Sequence, residues 1–507
     1  MKSILILGAG KSSVYLIEYL INEAAVYNWK IVVADFDQAA AKAKIGNALH
    51  ASAVHLDIHD IDSRRSLIAD STIVISLLPP SLHYFVALDC LELNRHLFTA
   101  SYIDENLEKL RGEVNAKELL FLCELGLDPG IDHMSAISLI EKISAKGGKI
   151  RSFRSHCGGL VAPESDNNPW HYKISWNPRN VVLAGQAGAV FKEDSEIRHL
   201  PYTELFNPEN TVDIPELGEL SWYANRNSLP YMELYGLQEC KTFLRTTLRY
   251  PEFCLGWKAM TALKFTDQTI MYETDGMSLQ KFFKLHLTNN GFSDWVENNF
   301  TRGFRETADM LDKIAKLISL NEDPPDNVKD DLLKFMLVDA NGELNSIGID
   351  EIKLTAVNTV ARQKLEVSVI ISQLAFLGIH DDETIINKGH CSAADVLQFA
   401  LETKLALQPG DRDMIVMLHE IEYELNGQLL ESRSSLVVKG KDPVYTAMAR
   451  TVGLPLAIAA SLFLQNKLNV KGMQIPVIKE IYEPVMQILN ENGIVFSDYE
   501  DRSERTL

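Results

Sequence analysis

The chain has 507 residues, 46% apolar and 23% charged, so it exceeds one ordinary core and has the composition of a globular protein of two or three domains. Its formal net charge of -20, with no basic run long enough to reverse that field locally, excludes nucleic acid and anionic membrane surfaces as partners and requires any anionic substrate to be gripped by a few placed arginines. The six cysteines, at 90, 123, 157, 240, 254 and 391, have neither metal-ligand spacing nor the density of a disulfide scaffold, which points to a reduced, cytoplasmic compartment.

The opening ILIL run is too short for a signal peptide and leads to Lys11 without a small-residue cleavage site. No stretch approaches the ~20 apolar residues of a membrane-spanning helix. Residues 2–13, KSILILGAGKSS, predict a buried strand, a glycine turn and a helix, and KIVVADFD ends the next strand on Asp35. This is the layout of a dinucleotide-binding βαβ unit. Gly8 permits the tight turn and Gly10 lets the backbone approach a pyrophosphate. The amide-rich helix start favours phosphate, and Ser13 stands as a small residue at the third glycine position. Asp35 has two readings. As a ribose ligand it accepts hydrogen bonds from the adenosine hydroxyls and repels the extra phosphate of NADP, which favours NAD; otherwise it caps the next turn.

Further apolar runs follow at 53–56, 72–78, 96–100 and 118–125, with helical patterns between them, which is the alternation of a parallel, doubly wound sheet. Polar and turn residues sit just beyond these strands: Gly8, Gly10, Asp35, Asp57, Pro79, Ser101, Tyr102, Asp128 and Pro129. In open α/β sheets the ligand crevice lies at that edge. From about residue 131 the pattern becomes α+β, with strand-like KIRSFRSHCGG and KTFLRTTLRY, and returns in MIVMLHEIEYEL and QLLESRSSLVVKG, which flank the hairpin signal Asn426-Gly427. Residues 257–405 are mainly helical, including a one-faced apolar pattern over 308–320 and a connector at 320–327. After Gly440 the stretch 443–464 is helical, and another helix starts near Pro476.

Arg226 and Arg249 are planar donors suited to a di- or tricarboxylic substrate, or else surface ion-pair partners. Cys157, between His156 and Gly158, is a reactive thiol or a buried filler. Asp128 closes a turn and caps the helix that begins near Ile131, or serves chemistry. Asp132 serves the helix N-terminus, and His133 reads as a first-turn helix residue because nothing near it in sequence would orient a base.

The motifs GAGKSS, SYID at 101–104, GLDPGIDHMSA at 126–136, HCGGLVAPE at 156–164, YKISWNP at 172–178, NRNS at 225–228, TLRY at 247–250 and YTAMARTVGLP at 445–455 occur in the order of one family. From end to end the chain resembles saccharopine reductase, the glutamate-forming saccharopine dehydrogenase family. The resemblance implies a discontinuous Rossmann-type parallel-sheet domain (1–130 with 441–507), an inserted α+β substrate domain (131–256 with 406–440) and a helical domain (257–405). It implies the reversible conversion of saccharopine, NAD(P)+ and water into glutamate, 2-aminoadipate 6-semialdehyde and NAD(P)H, in lysine metabolism. Cofactor contacts would come from Gly8, Gly10, Lys11, Ser12, Ser13, Asp35, Asp57, Leu78, Pro79, Ser101, Leu127 and Pro129. Tyr102, Asp128 and Cys157 would surround the reacting centre, with Ser101, Arg226, Thr247 and Arg249 on substrate carboxylates and amines. NADP-using biosynthetic members place an arginine where this chain has Asp35, so NAD is preferred over NADP. A small amino-acid substrate is the expected partner, and a homodimer is compatible with the chain. Two rival readings are an imine reductase of the carboxynorspermidine dehydrogenase type and a non-catalytic dinucleotide-binding regulator.

Overall fold

The computed structural model describes residues 1–297, 334–338, 344–348, 362 and 364–502. The helical pattern at 308–320 and the connector at 320–327 lie outside the described residues. The chain forms two compact units. One comprises Met1–Asn167, His171–Cys254 and Leu405–Leu507; the other comprises Asn168–Trp170 and Leu255–Lys404.

The first unit opens on six parallel strands: β1 (Ser3–Leu7), β2 (Lys30–Asp35), β3 (Ala51–His55), β4 (Ile73–Ser76), β5 (His96–Thr99) and β6 (Leu120–Leu122). The sheet runs Gly472–Gln474, β6, β5, β4, β1, β2, β3, so a strand from the far end of the chain completes it next to β6. This is the discontinuous Rossmann-type sheet that the sequence predicts. Its strands are apolar on both faces because helices cover both. Ile4, Ile6, Ile31, Val33, Ile73 and Ile75 pack on one side with Leu16, Ile17 and Leu20 of the Val14–Tyr27 helix and with Leu456 and Ile458 of the Ala447–Leu464 helix. Leu5, Leu7, Val74 and Leu97 pack on the other with Val86, Leu91 and Val114.

The same unit holds a second, mostly antiparallel sheet. It contains β7 (Lys149–Val161), β8 (Ala189–Glu193), β9 (Glu196–Leu200), β10 (Thr211–Ile214), β11 (Gly218–Ala224) and β12 (Thr242–Arg249), with strands Asp413–Leu425, Gln428–Lys439 and Ser497–Arg502. β7 and β12 run parallel at its centre, pairing Thr246 with His156 and Thr247 with Cys157. Asn426 and Gly427 take φ of 53° and 78° and join the two late strands by a two-residue turn, as their sequence predicts.

Against the expectation that no stretch approaches a spanning length, the Ala447–Leu464 helix is long and apolar enough by composition to cross a membrane, yet 83% of it is buried inside the structure. It is a core helix. Asp413 holds its start, accepting from the Ala447 and Met448 amides at 2.6 and 2.9 Å.

The second unit contains helices Leu279–Asn289 and Ala393–Lys404 and a short antiparallel pair, Met271–Glu273 with His390–Ser392. Ser278 caps the first of these helices through the Lys281 amide, and Leu279, Phe282, Phe283, His286 and Leu287 form its buried face. A backbone hairpin, Lys334–Val338 with Leu344–Gly348, is a β element that the sequence reading did not anticipate.

Gly453 is the contact between the late helix and the glycine turn: a Cβ there would stand 3.1 Å from both Ser12 O and Leu16 N. Gly453→Val is therefore expected to destabilise the protein by about 1–3 kcal/mol through overpacking, read as a lower Tm together with weaker dinucleotide binding. An unchanged Tm would contradict this packing.

Candidate active site

The carboxyl edge of the parallel sheet carries the first set of predicted residues. Gly8 takes φ +102°, and a Cβ there would stand 3.2 Å from Leu77 O, so only glycine makes this turn without strain. Nothing lies within 4 Å of a Cβ built on Gly10, which leaves that face open. Lys11–Ser13 forms a single tight turn leading into the Val14–Tyr27 helix, and no side chain caps either start. Uncapped amides at a helix start are suited to a phosphate group.

Asp35 turns inward to this loop. Its Oδ2 accepts the Ala9 amide at 2.6 Å and its Oδ1 the Asp37 amide at 2.8 Å, so both oxygens brace the local backbone. Lys44 reaches the same turn, donating to Gly10 O and, at 2.7 Å, to Ser13 Oγ. Burial pushes its pKa down to about 8. Of the other predicted cofactor residues, Pro79 is exposed just before the Pro80–Glu92 helix and Leu78 is half-buried. Asp57 is exposed and closes its own turn with the His59 amide at 2.9 Å. Leu127 and Pro129 are buried in the turn after β6, where Gly126 N donates to Pro129 O at 2.8 Å.

That turn aims Asp128. Gly130 at φ +145° presses against Gly126, where a Cβ would come within 2.2 Å of the carbonyl oxygen, so the loop closes tightly. Asp132 then takes the capping role that the sequence reading offered to Asp128: its Oδ1 accepts the Gly130 amide at 2.6 Å. Asp128 is bonded to other segments instead. Its Oδ1 accepts the Tyr102 hydroxyl at 2.9 Å and Arg245 Nη2 at 2.7 Å. Arg245 also donates to Asp132 Oδ2 at 2.7 Å, so one buried guanidinium bridges two carboxylates.

The two aspartates are driven apart. Burial, then the charge of Asp132, raises the Asp128 pKa, and Arg245 only partly opposes this. At Asp132 burial also acts upward, but His133, Arg245 and the Gly130 amide outweigh it and the pKa falls. One carboxyl is thus suited to exchanging a proton and the other to remaining an anion. Tyr102 is held well above its ordinary pKa by burial and serves as a hydroxyl donor.

A buried frame holds this group. Glu124 accepts the Ile103 amide at 3.2 Å and the Tyr231 hydroxyl at 3.2 Å, and its Oε2 lies 3.0 Å from His133 Nε2. The other nitrogen of His133 lies 2.5 Å from Tyr235 Oη. His133 is a first-turn helix residue, as predicted, but its partners come from distant segments. Tyr231 also stacks under Arg245, 4.3 Å from ring centroid to guanidinium carbon.

β12 supplies the opposite wall. Residues two apart on a strand share a face, so Arg245, Thr247 and Arg249 form a row, with Cys157 paired beside Thr247. Arg249 is 3% exposed and lies against Tyr172, Phe253 and Tyr223 at 5.3, 5.3 and 6.0 Å. Its Nη1 donates to Leu248 O at 2.7 Å, its Nε has no partner, and no carboxylate pairs with it among the described residues. Arg226, exposed at φ +54°, lies over the Tyr102 ring at 5.1 Å. Burial, with Asp128 and Asp132 adding to it, pushes the Cys157 thiol well above its ordinary pKa. Cys157 is therefore a neutral thiol here, not an activated nucleophile.

The structure thus brings Tyr102, Asp128, Cys157, Arg226, Thr247 and Arg249 into one region, with Ser101 beside them on the strand edge. Arg245, Asp132, Glu124 and Tyr231 were missed as site residues. Arg245 had a readable signal, since it stands four residues from Arg249 and an even spacing shares a strand face.

Residues 4–122 match the family model described as "Saccharopine dehydrogenase NADP binding domain", and residues 126–494 match "Saccharopine dehydrogenase C-terminal domain". The chain is 30% identical to "Saccharopine dehydrogenase [NADP(+), L-glutamate-forming]" of Pyricularia oryzae over 97% of both chains. It is also 30% identical to the "Alpha-aminoadipic semialdehyde synthase" of Arabidopsis thaliana, over 92% of this chain but 40% of that protein's length. The solved structure of apo saccharopine dehydrogenase (L-Glu forming) from Saccharomyces cerevisiae superposes with a TM-score of 0.76 at 27% identity, covering 99% of this chain and 100% of that one. The expectation of NAD is overturned by these findings: the domain model and the P. oryzae relative are both named for NADP. Asp35, on which that expectation rested, has its two oxygens engaged with the Ala9 and Asp37 amides, and the Lys44 amine stands at the same glycine turn. With both halves of the chain matched in order, the chain belongs to the saccharopine dehydrogenase family.

Proposed function

We propose that the protein interconverts saccharopine with L-glutamate and 2-aminoadipate 6-semialdehyde, using NADP. The observation that carries this reading is Arg249, a buried guanidinium without a carboxylate partner among the described residues, on the same strand face as the neutralised Arg245. A buried cation without a counterion costs several kcal/mol, so its anion is expected to arrive with the ligand. Arg226 offers a second guanidinium across Tyr102. Two such groups suit an amino-acid substrate with several carboxylates, and they oppose the cationic ends of a diamine.

The open, uncapped turn at Gly8–Ser13 fits a dinucleotide pyrophosphate, with Lys44 available to an additional phosphate. When bound, the dinucleotide supplies the hydride acceptor or donor. In the oxidative direction the carbon beside the secondary amine loses hydride and the nitrogen loses a proton. Water adds across the resulting C=N bond, and C–N cleavage releases glutamate and the aldehyde. Asp128 takes the nitrogen proton, Tyr102 and Arg245 orient its carboxylate, and Asp132 keeps Arg245 in place. Arg249, Thr247 and Arg226 hold the substrate so that its reacting carbon faces the cofactor edge.

Incubation with saccharopine and NADP+ is expected to yield NADPH and free glutamate in equal amounts, and absence of either product overturns the assignment. kcat/KM is expected to favour NADP over NAD by tenfold or more, about 1.4 kcal/mol; a preference for NAD would reject the cofactor reading. For Arg249→Met, KM for saccharopine is expected to rise about 100-fold or more while Tm stays level or rises, because the substitution removes a charge that is costly in the free protein. A fall in Tm with unchanged KM would make Arg249 structural. The oxidative reaction needs Asp128 ionised, and its pKa is raised, so kcat/KM falls on acidification above the ordinary carboxylate range of about 4. Asp132→Asn removes a neighbouring negative charge and is expected to move that limb to lower pH; a limb that stays or moves up would contradict the pairing.

A further inference from the structure

One buried titratable group on the cofactor edge is unused by this chemistry. His83 lies in the first turn of the Pro80–Glu92 helix and is 2% exposed. Its Nδ1 is 2.8 Å from Oγ of Ser76, the last residue of β4, and its Nε2 is 2.8 Å from Oγ of Ser101, just beyond β5. Thr99 Oγ1 stands farther away, at 3.5 Å, and accepts the Ser101 amide at 3.2 Å. Burial pushes the imidazole pKa down to about 4, so the ring is neutral and carries one proton.

One ring nitrogen must therefore donate and the other accept. Ser76 decides which. Its hydroxyl is fully buried, and His83 is its one hydrogen-bond partner among the described residues. A buried hydroxyl with no acceptor costs about 1–3 kcal/mol, so Ser76 donates to Nδ1. The ring proton then sits on Nε2 and is donated to Ser101 Oγ. That oxygen is filled as an acceptor on its inner side, and its own proton is left to point outward.

We propose that His83 is a positioning residue that fixes the Ser101 hydroxyl as a hydrogen-bond donor toward a substrate carboxylate, through the oriented series Ser76, His83, Ser101. The opposite orientation would present Ser101 as an acceptor, suited to a substrate ammonium group. The inference rests on the proposed reaction and on the substrate contact that the family resemblance implies for Ser101.

Neutron diffraction from deuterated crystals of the protein without substrate tests the orientation directly. Deuterium is expected on Nε2 of His83 and not on Nδ1; the reverse overturns the proposal. This result does not depend on the assigned reaction, so a protein that fails to oxidise saccharopine while showing deuterium on Nε2 would reject the function and leave the orientation intact. Kinetics test the consequence. His83→Leu is expected to raise KM for saccharopine about tenfold with kcat and the dissociation constant for NADP little changed. His83→Gln, which restores an N–H donor, should recover most of that loss. In His83→Leu/Ser101→Ala the loss is expected to equal that of Ser101→Ala alone, whereas additive losses, or a kcat effect without a KM effect, would show that His83 does not act through Ser101.

Discussion

The guanidinium of Arg245 joins the two sheets of the first unit. It projects from β12 of the antiparallel sheet and bonds Asp128 and Asp132, which flank the turn after β6 of the parallel sheet. Each group would be costly to bury alone; two carboxylates share one cation, which leaves one negative charge in excess, and a backbone amide favours Asp132. The asymmetry has a chemical consequence. Asp132 is the better satisfied anion, and Asp128, with Tyr102 as its other partner, is left with the raised pKa and the somewhat greater exposure.

On the proposed reading the same strand separates binding from chemistry. Alternation along β12 places Arg245, Thr247 and Arg249 in one row, yet the two arginines meet opposite surroundings. Arg245 meets carboxylates; Arg249 meets Tyr172, Tyr223 and Phe253. Aromatic faces favour a cation weakly compared with a counterion, at about 0.5–2 kcal/mol each, so they support the guanidinium without neutralising it. A substrate carboxylate completing Arg249, as proposed, would gain an interaction formed in a water-poor wall, where charge-assisted hydrogen bonds are strongest.

Much of the fold was legible because local chemistry and the global arrangement agree. KSILILGAGKSS has the apolar run, the turn glycine and the helix start in the required order, and Asn426-Gly427 specifies its hairpin by backbone preference alone. The strand ends also named Tyr102 and Asp128 correctly as edge residues. What escaped reading depends on contacts between segments far apart in sequence. Within GLDPGIDH, Asp132 serves the helix start as its sequence suggests, whereas the choice left open for Asp128, turn closure or chemistry, depends on its bonds to Tyr102 and Arg245 from other segments. His133 looked unpartnered because Glu124 and Tyr235 reach it only through the fold. Asp35 misled for a related reason. A carboxylate at the end of β2 reads as a ribose ligand, but here it accepts one amide of its own turn and one of the glycine turn after β1, and Lys44, which reaches that glycine turn, comes from the following helix.

The central claim is that Arg249 waits for a substrate carboxylate while Asp128 faces the reacting nitrogen. A crystal structure of the protein with dinucleotide and saccharopine tests both at once. The account requires a substrate carboxylate within hydrogen-bond distance of the Arg249 guanidinium, with the secondary amine beside Asp128 and the nicotinamide. Saccharopine bound elsewhere, with Arg249 still lacking an anion, would contradict it.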